Sequence, residues 1–250
     1  MFWVANAAYF SSLSYGDLAM QEQNVASIEF ANVAPAERTN RVLRNTYMLT
    51  AIALVPMALG AMLGSQLSFG FLRSSPIIGA LAMMAVLYGL MFAIERNRTS
   101  GVGIALLLVF TTVLGLMTGP LLQSVLNFRN GASLISFAVM GTAAVFFGMA
   151  AVSSTIKKPL TGMGKFLMIG GIILMVAVVA NIFLQMPILS LVISAMFILF
   201  SSLMILWQLN AIVTGGEDNY ISATLSLVLS IYNIFVSLLQ LLGVLGGSRD

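Results

Sequence analysis

The chain has 250 residues, of which 60% are hydrophobic and only 8% are charged, whereas a soluble domain carries about 25% charged residues. This composition excludes a soluble globular enzyme and predicts an all-α polytopic membrane protein. Cysteine and histidine are both absent, which excludes disulfides, thiol nucleophiles, imidazole bases and the usual zinc or haem ligands, so no metal, cofactor or catalytic residue is predicted. The net charge of +3 does not indicate a nucleic-acid partner, because the basic residues lie in short segments between apolar stretches, where they set topology.

Residues 1–40 are predicted to form an N-terminal tail before the membrane domain, which we place at 41–250. The opening run MFWVANAAYF is apolar over too few residues to cross a bilayer, and no basic region marks it as a signal peptide. Acidic residues then alternate with Ser, Gln, Asn and Ala, which is typical of a mobile or surface-lying segment. Pro35 argues against one continuous helix from this tail into the first span.

Seven apolar stretches follow, each long enough to cross a bilayer as a helix and free of internal charges. A charge at the centre of a span costs at least about 2.5 kcal/mol, which accounts for that pattern. The predicted fold is a seven-helix transmembrane bundle in contact with the lipid bilayer. The predicted spans are Asn45–Leu67, Pro76–Ile94, Gly101–Val125, Ala132–Thr155, Phe166–Leu184, Pro187–Val213 and Tyr220–Leu245.

The basic residues of the connecting segments predict the orientation, because Lys and Arg accumulate on the cytoplasmic side. With the N-terminus inside, only Arg73, Arg129 and Arg249 lie outside. The C-terminus is then extracytoplasmic. The basic residues on the cytoplasmic side are Arg38, Arg41, Arg44, Arg96, Arg98, Lys157, Lys158 and Lys165.

Small residues within the spans predict close helix contacts. The first span has the GxxxG pair Gly60 and Gly64, and Gly119–Pro120 is expected to kink or end the third helix. Gly215–Gly216 can end the sixth helix, and the following acids Glu217 and Asp218 suit the start of the seventh. The other small-residue sets are Gly141, Ala144, Gly148 and Ala151 in the fourth span, and Gly162, Gly164, Gly170 and Gly171 in the fifth.

The last two spans carry polar residues in register. In the seventh span, Ser and Asn or Gln recur every three or four residues on one helix face from Ser222 to Gln240, and in the sixth they recur every seven. The short turn from Thr214 to Asn219 makes these helices antiparallel neighbours, so the two stripes should face each other. Two interpretations remain open: hydrogen bonds that hold the helices together, worth about 0.6 kcal/mol each, or a polar path for ions. The candidate residues of this polar seam are Ser194, Ser201, Gln208, Asn210, Ser226, Ser230 and Asn233.

Six short motifs carry a resemblance to a known family. They are VLRNTY from Val42, YGLMF from Tyr88, GTAAVFF from Gly141, VANIFLQ from Val179, GGEDNYI from Gly215 and SIYNIFVSLLQLLG from Ser230. In order and spacing they resemble the Bax inhibitor-1 family (transmembrane Bax-inhibitor motif proteins), and specifically its bacterial YccA-like branch. The resemblance covers about residues 41–250 and implies a bundle in which six helices surround a central seventh.

The resemblance also implies a pH-sensitive pair of acidic residues on the last two helices in family members that leak calcium. By the family's local pattern, those two positions are occupied here by Gln208, which follows Trp207, and Ser230, which follows Leu229. Neither side chain ionises, so the shared proton of a carboxylate pair is lost. Calcium conduction by that mechanism is therefore not expected.

The YccA-like branch implies a different function. Its members associate with the membrane-bound ATP-dependent protease FtsH and its accessory complex, as modulators and slow substrates in membrane-protein quality control. The favoured hypothesis is a non-enzymatic protein of the bacterial inner membrane that modulates FtsH, with the tail 1–40 offering the protease a segment to grip. The alternative is a pH-sensitive calcium or cation leak channel of the Bax inhibitor-1 type. An intramembrane enzyme is disfavoured, because no His, Cys or mid-membrane acid is present to activate a serine.

Overall fold

The computed structural model describes residues 15–67 and 76–247, with side chains described from Glu37 onward except at 76 and 80. The apolar run 1–10 and two of the three basic residues assigned to the outer side, Arg73 and Arg249, lie outside these residues. The described residues form seven α-helices, each with a stretch long and apolar enough to cross a membrane, which confirms the predicted all-α, seven-span fold. The helices are α1 (Tyr15–Gly64), α2 (Pro76–Arg96), α3 (Gly101–Leu126), α4 (Gly131–Thr155), α5 (Thr161–Leu184), α6 (Pro187–Val213) and α7 (Tyr220–Gly246).

Helix α1 continues through Pro35, so the expected break before the first span is wrong. Proline removes the N–H that would bind the carbonyl of Ala31. Ala34, Ala36 and Glu37 beside it are strong helix formers, which favour continuation across the missing hydrogen bond. The apolar span within α1 begins at Glu37, and the chain divides into two compact units, one ending at Arg41 and one beginning at Val42.

Within the unit that begins at Val42, α7 is the central helix. It packs against α2, α3, α4 and α6, and its buried Leu225 and Val228 share a cluster with Leu49 and Ala53 of α1. Burial of its apolar side chains on several sides explains this position, since Leu227, Ile234 and Leu239 have no exposed surface. Unlike α2, α3, α4 and α6, helix α5 does not pack on α7. It packs on α6 and, over a short stretch, on α2.

Glycines bring α1 and α3 into backbone contact. A Cβ atom on Gly60 would lie within 3.0 Å of the carbonyl oxygen of Thr112, and one on Gly115 within 3.0 Å of that of Met57. Real Cβ atoms do not approach other atoms so closely, so only glycine permits this crossing. The predicted packing role of Gly60 is confirmed, and Gly115 is its counterpart on α3.

The sequence predicted that Gly119–Pro120 would kink or end α3. The helix does not end there but continues to Leu126. Pro120 lacks the N–H that would bind the carbonyl of Leu116. That carbonyl oxygen instead faces Gly64, where an added Cβ would lie within 3.0 Å of it. Close helix crossings in membranes allow such an oxygen to approach a glycine Cα–H. Helix α1 therefore packs against the Leu116 carbonyl group, which Pro120 leaves without its usual hydrogen bond.

The small residues of α4 and α5 behave differently from each other. On α4, a Cβ on Gly141 would lie 3.0 Å from the side chain of Leu238 on α7, so the expected close contact is confirmed at that position. Ala144, Gly148 and Ala151 are exposed, and a Cβ on Gly148 would meet no atom of a described residue within 4 Å, so the expectation is wrong for these three. On α5, a Cβ on Gly164 would lie 3.3 Å from the indole of Trp207, and one on Gly171 the same distance from the ring of Phe200. Aromatic rings of α6 therefore lie over the glycines of α5.

Two residues with positive φ close the turns at the ends of α6. Gly215 has φ 77°, a conformation that glycine adopts without strain, and it terminates α6 as predicted. Gln185, with φ 50°, ends α5 and leads into α6 after Met186. Below, the two membrane faces of the bundle are called the α5–α6 end and the α6–α7 end, after the turn that each contains.

Candidate functional site

A hydrogen-bond network joins α6 to α7 near the α5–α6 end. The hydroxyl of Ser194 lies 2.9 Å from the amide oxygen Oε1 of Gln240 and 2.9 Å from the carbonyl oxygen of Ser190. The amide nitrogen Nε2 of Gln240 donates to the hydroxyl oxygen of Ser190. Gln240 therefore uses both ends of its side chain on α6, which fixes the register of the two helices.

This network forms one wall of a cavity of about 290 Å³ between α5, α6 and α7. The cavity occupies the gap that remains because α5 packs on α6 but not on α7. Its apolar lining comes from Val, Ile and Phe side chains of all three helices. Its polar lining consists of Asn181 from α5, Ser190 and Ser194 from α6, and Asn233, Ser237 and Gln240 from α7.

Several polar groups of the cavity have no partner in the described part of the protein. The side chain of Asn181 accepts a hydrogen bond from the backbone N–H of Met186 at 3.2 Å, but its amide hydrogens find no acceptor there. The side chains of Asn233 and Ser237 make no hydrogen bond with any described residue, although both line the cavity. These groups are available to whatever occupies it.

The Ser194–Gln240 hydrogen bond also sets the levels of the remaining seam residues. Because α6 and α7 are antiparallel, seven residues forward on α6 and seven residues back on α7 reach the same height in the bundle. Ser201 therefore lies at the height of Asn233, and a second step of seven places Gln208 at the height of Ser226. Ser230 lies about one turn from that level, or about 6 Å along the helix. Gln208 and Ser230 are both buried, but no hydrogen bond joins these two described side chains, and the Ser230 hydroxyl donates to the carbonyl of Ser226 at 2.8 Å.

The expectation that every seam residue finds a partner across the interface is wrong. The hydroxyl groups of Ser201 and Ser226 are buried and have no hydrogen-bond partner among the described residues. A serine hydroxyl extends only one bond beyond Cβ, so it reaches a neighbouring helix only where the backbones are very close. Of the two seam interpretations, direct cross-helix bonding therefore describes Ser194 but not the middle of the seam.

Asn210, assigned to the seam from sequence, turns instead to the α4–α5 connection. Its Nδ2 donates to the carbonyl oxygens of Ile156 at 3.0 Å and Lys158 at 3.2 Å, and its Oδ1 accepts from the N–H of Leu160 at 3.0 Å. The residue is 1% exposed. It satisfies three backbone groups of a loop without regular structure, a need that no periodicity in α6 signals.

At the α6–α7 end, polar residues connect the α2–α3 turn to the start of α7. The carboxylate of Glu95 accepts from the Ser222 hydroxyl at 2.9 Å, and the amide of Asn219 donates to the Arg98 carbonyl at the same distance. Asn219 also accepts from the N–H groups of Ile221 and Ser222 as the N-cap of α7. Glu217 accepts from the Asn219 N–H, which is the local role expected of it.

The chemistry available at the seam and cavity is that of neutral hydrogen-bonding groups. All six polar lining residues are amides or hydroxyls. The described residues contain no cluster of acidic side chains that could hold a metal ion, and the seam has no acid or base for proton transfer. Binding and helix association are therefore the functions that this site supports.

The sequence interpretation missed Asn181 and Ser190 as site residues. Asn181 is the single polar residue of α5 after Lys165, four residues before Gln185 in the VANIFLQ motif. An isolated polar residue in a span faces protein or water, and that signal could have identified it. Ser237 and Gln240 belong to the stripe recognised on α7, but only the structure shows that they reach α6 and the cavity.

Comparison with known proteins gives a consistent family. A model of the family described as "Inhibitor of apoptosis-promoting Bax1" matches residues 39–247. An uncharacterised protein of Neisseria meningitidis serogroup A is 46% identical over 210 residues, which are 83% of this chain and 92% of that protein.

Two relatives have descriptive names. The protein named "Modulator of FtsH protease YccA" in Escherichia coli K12 is 42% identical over 212 residues, which are 85% of this chain and 93% of the relative. The protein named "Inner membrane protein YccA" in Escherichia coli O6:H1 matches with the same identity and coverage.

Proposed function

The chain belongs to the Bax inhibitor-1 family, and from that premise we propose that it is a YccA-like, non-enzymatic modulator of the membrane protease FtsH in a bacterial inner membrane. The observation that carries this proposal is the relative named as a modulator of FtsH, which is 42% identical over almost its whole length. The other named relative supports the inner-membrane location. Identity of this extent spans the membrane domain, including the seam and the cavity.

The composition of the site is compatible with a binding function. The polar side chains between α5, α6 and α7 are neutral, and the lipid-facing surface of the bundle carries large apolar side chains such as Phe147 and Phe166. A partner with membrane-spanning helices can pack on such a surface. In the proposed function the protein acts through contacts with FtsH and its accessory complex within the membrane.

We also propose that the protein is itself a slow FtsH substrate, engaged through residues 1–40. FtsH is an ATP-dependent protease, and processive proteases of this kind start from a terminal segment. Deletion of about residues 2–30 should leave the bundle intact, because Arg38, Arg41 and Arg44 remain to orient the first span. The deletion should lengthen the lifetime of the protein in cells that contain the protease; an unchanged half-life would remove the tail from the mechanism.

The proposal is tested in Escherichia coli K12 from which YccA has been removed. An affinity-tagged copy of this chain is expected to copurify with FtsH from detergent-solubilised membranes, and its overproduction should slow the loss of an FtsH client after protein synthesis is stopped. YccA itself serves as the positive control, and an unrelated seven-helix membrane protein with the same tag as the negative control. Recovery of FtsH no better than with the negative control, together with an unchanged client lifetime, would contradict the proposal.

The alternative function, a pH-sensitive cation leak, has less support. A leak controlled by a carboxylate pair needs titratable groups at the seam, and Gln208 and Ser230 are both neutral. The named relatives are described as a protease modulator and an inner membrane protein. Calcium flux in liposomes separates the two functions, since a modulator needs no conduction.

A further inference from the structure

The cavity between α5, α6 and α7 contains polar groups that the protein does not satisfy. The amide hydrogens of Asn181, the whole side-chain amide of Asn233 and the hydroxyl of Ser237 face it without a partner among the described residues. Leaving such groups unpaired in a hydrocarbon environment costs several kcal/mol each. An occupant that forms hydrogen bonds would satisfy these groups.

The cavity extends from the α5–α6 end towards the middle of the bundle. Asn181 lies three residues before the end of α5, and Ser190 three residues after the start of α6, which places both near the membrane surface. Asn233 lies thirteen residues before the end of α7, or about 20 Å along the helix. The polar wall thus reaches roughly to mid-membrane from one side only.

The lining also defines the charge of the occupant. Among the residues that the structure describes, no Asp, Glu, Lys or Arg lines the cavity, so neither a cation nor an anion would find there the opposite charge that offsets its desolvation. Amides and hydroxyls offer both donors and acceptors. At about 30 Å³ per water molecule, the volume of about 290 Å³ holds roughly ten waters or one solute of similar size.

We propose that this cavity is a binding pocket, open to water at the α5–α6 end, for a small neutral solute with hydroxyl or carboxamide groups. Asn233 and Ser237 bind its polar groups, and the amide of Asn181 donates to it near the entrance. The Ser190–Gln240–Ser194 network holds α6 and α7 at the spacing that the pocket needs. The proposal does not depend on the interaction with FtsH.

The absence of cysteine from the chain makes a sharp test possible. The variants Val236→Cys and Val178→Cys, at apolar lining positions, each place a single thiol in the pocket and keep its polar groups. Phe147→Cys places one on the exposed, apolar face of α4. Ser100→Cys, in the exposed α2–α3 turn, is the benchmark for a thiol in water. Membrane vesicles of each orientation are treated with neutral hydroxyethyl methanethiosulfonate or with its trimethylammonium analogue, and unreacted thiols are counted by a gel-shift maleimide.

We expect the neutral reagent to modify Val236→Cys and Val178→Cys at least about tenfold faster than Phe147→Cys, from one side of the membrane. Normalised to Ser100→Cys, the cationic reagent should be at least about tenfold slower than the neutral one at the pocket. Glycerol or acetamide at high concentration should slow modification of the pocket thiol and leave the benchmark unchanged.

Two results would overturn the proposal. If both pocket thiols react as slowly as Phe147→Cys, water does not enter the cavity. If the cationic and neutral reagents react equally well, or if neither glycerol nor acetamide protects, the pocket does not select neutral solutes. The use of two positions separates these results from local damage caused by one substitution, and gel filtration confirms that each variant is folded.

Discussion

Ser194 and Gln240 join α6 to α7 through a hydrogen bond of 2.9 Å between residues 46 positions apart in the chain. The same glutamine donates to Ser190, so one side chain holds two hydroxyl groups of the neighbouring helix. The pair lies where the polar seam meets the cavity, and it is the only direct side-chain hydrogen bond between a predicted seam residue and the opposite helix within the described residues.

Replacement of Gln240 tests how much this link stabilises the bundle. Gln240→Leu should lower the free energy of unfolding by about 0.6–1.7 kcal/mol, from the average to the maximum value for interhelical hydrogen bonds in membranes. Ser202→Ala is the matched control, because the Ser202 hydroxyl donates only to the carbonyl of Ile198 in its own helix. Unfolding by SDS in mixed micelles measures both variants, and equal effects would show that the cross-helix bond contributes nothing specific.

Replacement of Asn210 should destabilise the protein more than replacement of any serine of the seam. Asn210→Ala leaves the N–H of Leu160 and the carbonyl of Ile156 without their partner, at an expected cost of about 2 kcal/mol. The loosened loop should be cleaved faster by trypsin after Lys157, since the bond after Lys158 is protected by Pro159. Asn233→Ala removes an amide that has no hydrogen bond to a described residue, so it should leave the cleavage rate unchanged; acceleration in both variants would refute the proposed clamp.

The crossing of α1 and α3 predicts opposite effects for two glycine substitutions. Gly115→Ala places a Cβ against the carbonyl of Met57, and the forced separation should destabilise the bundle by about 2 kcal/mol. Gly148→Ala on α4 meets no atom of a described residue within 4 Å and should be neutral or stabilising by up to about 1 kcal/mol, because alanine favours the helix. Thermal unfolding in detergent distinguishes them, and similar stability for the two variants would contradict the tight crossing.

The neutral seam predicts the absence of gated conduction. Reconstituted protein should show little calcium flux between about pH 6 and 8, because neither Gln208 nor Ser230 changes charge in that range. The register places Gln208 at the height of Ser226. The double variant Gln208→Asp/Ser226→Asp should therefore create a stronger pH-dependent leak than the double variant Gln208→Asp/Ser230→Asp. Dye-loaded liposomes measure both, and strong pH-gated flux in the unmodified protein would favour the channel alternative.

The orientation of the bundle is predicted from charge and can be measured with fused reporters. A reporter after Asp250 should be extracytoplasmic, and one inserted at Lys158 should be cytoplasmic, because eight of the eleven Lys and Arg lie on that side. Alkaline phosphatase and green fluorescent protein fusions give complementary signals. A cytoplasmic C-terminus would require either the opposite orientation or an even number of spans.

The seven spans were predictable because they depend on properties of single segments, whereas the central position of α7 was implied by the family resemblance. Charge-free runs of sufficient length define the helices, and the regular spacing of a polar stripe marks a helix face that turns towards protein or water. The break at Pro35 and the end at Pro120 were wrong, because flanking helix formers and a neighbouring glycine compensate for one lost hydrogen bond. Asn210 was misassigned for a related reason: its partners are backbone groups of a loop 50 or more residues away.

The cavity could not be predicted from sequence. It exists because α5 packs on α6 and not on α7, which is a matter of how three helices are arranged. The rings of Phe200 and Trp207 over Gly171 and Gly164 fix where α5 lies on α6. No pattern within one span specifies that arrangement.

The contact of Trp207 with Gly164 gives the protein an intrinsic optical reporter. The chain has two tryptophans, and the other, Trp3, lies in the N-terminal segment, so Trp3→Phe leaves one indole at the α5–α6 contact. The emission wavelength of an indole shifts to the red as its surroundings become more polar. Movement of α5 away from α6, which would widen the cavity between them, can therefore be followed by fluorescence in unlabelled protein, in detergent or in liposomes.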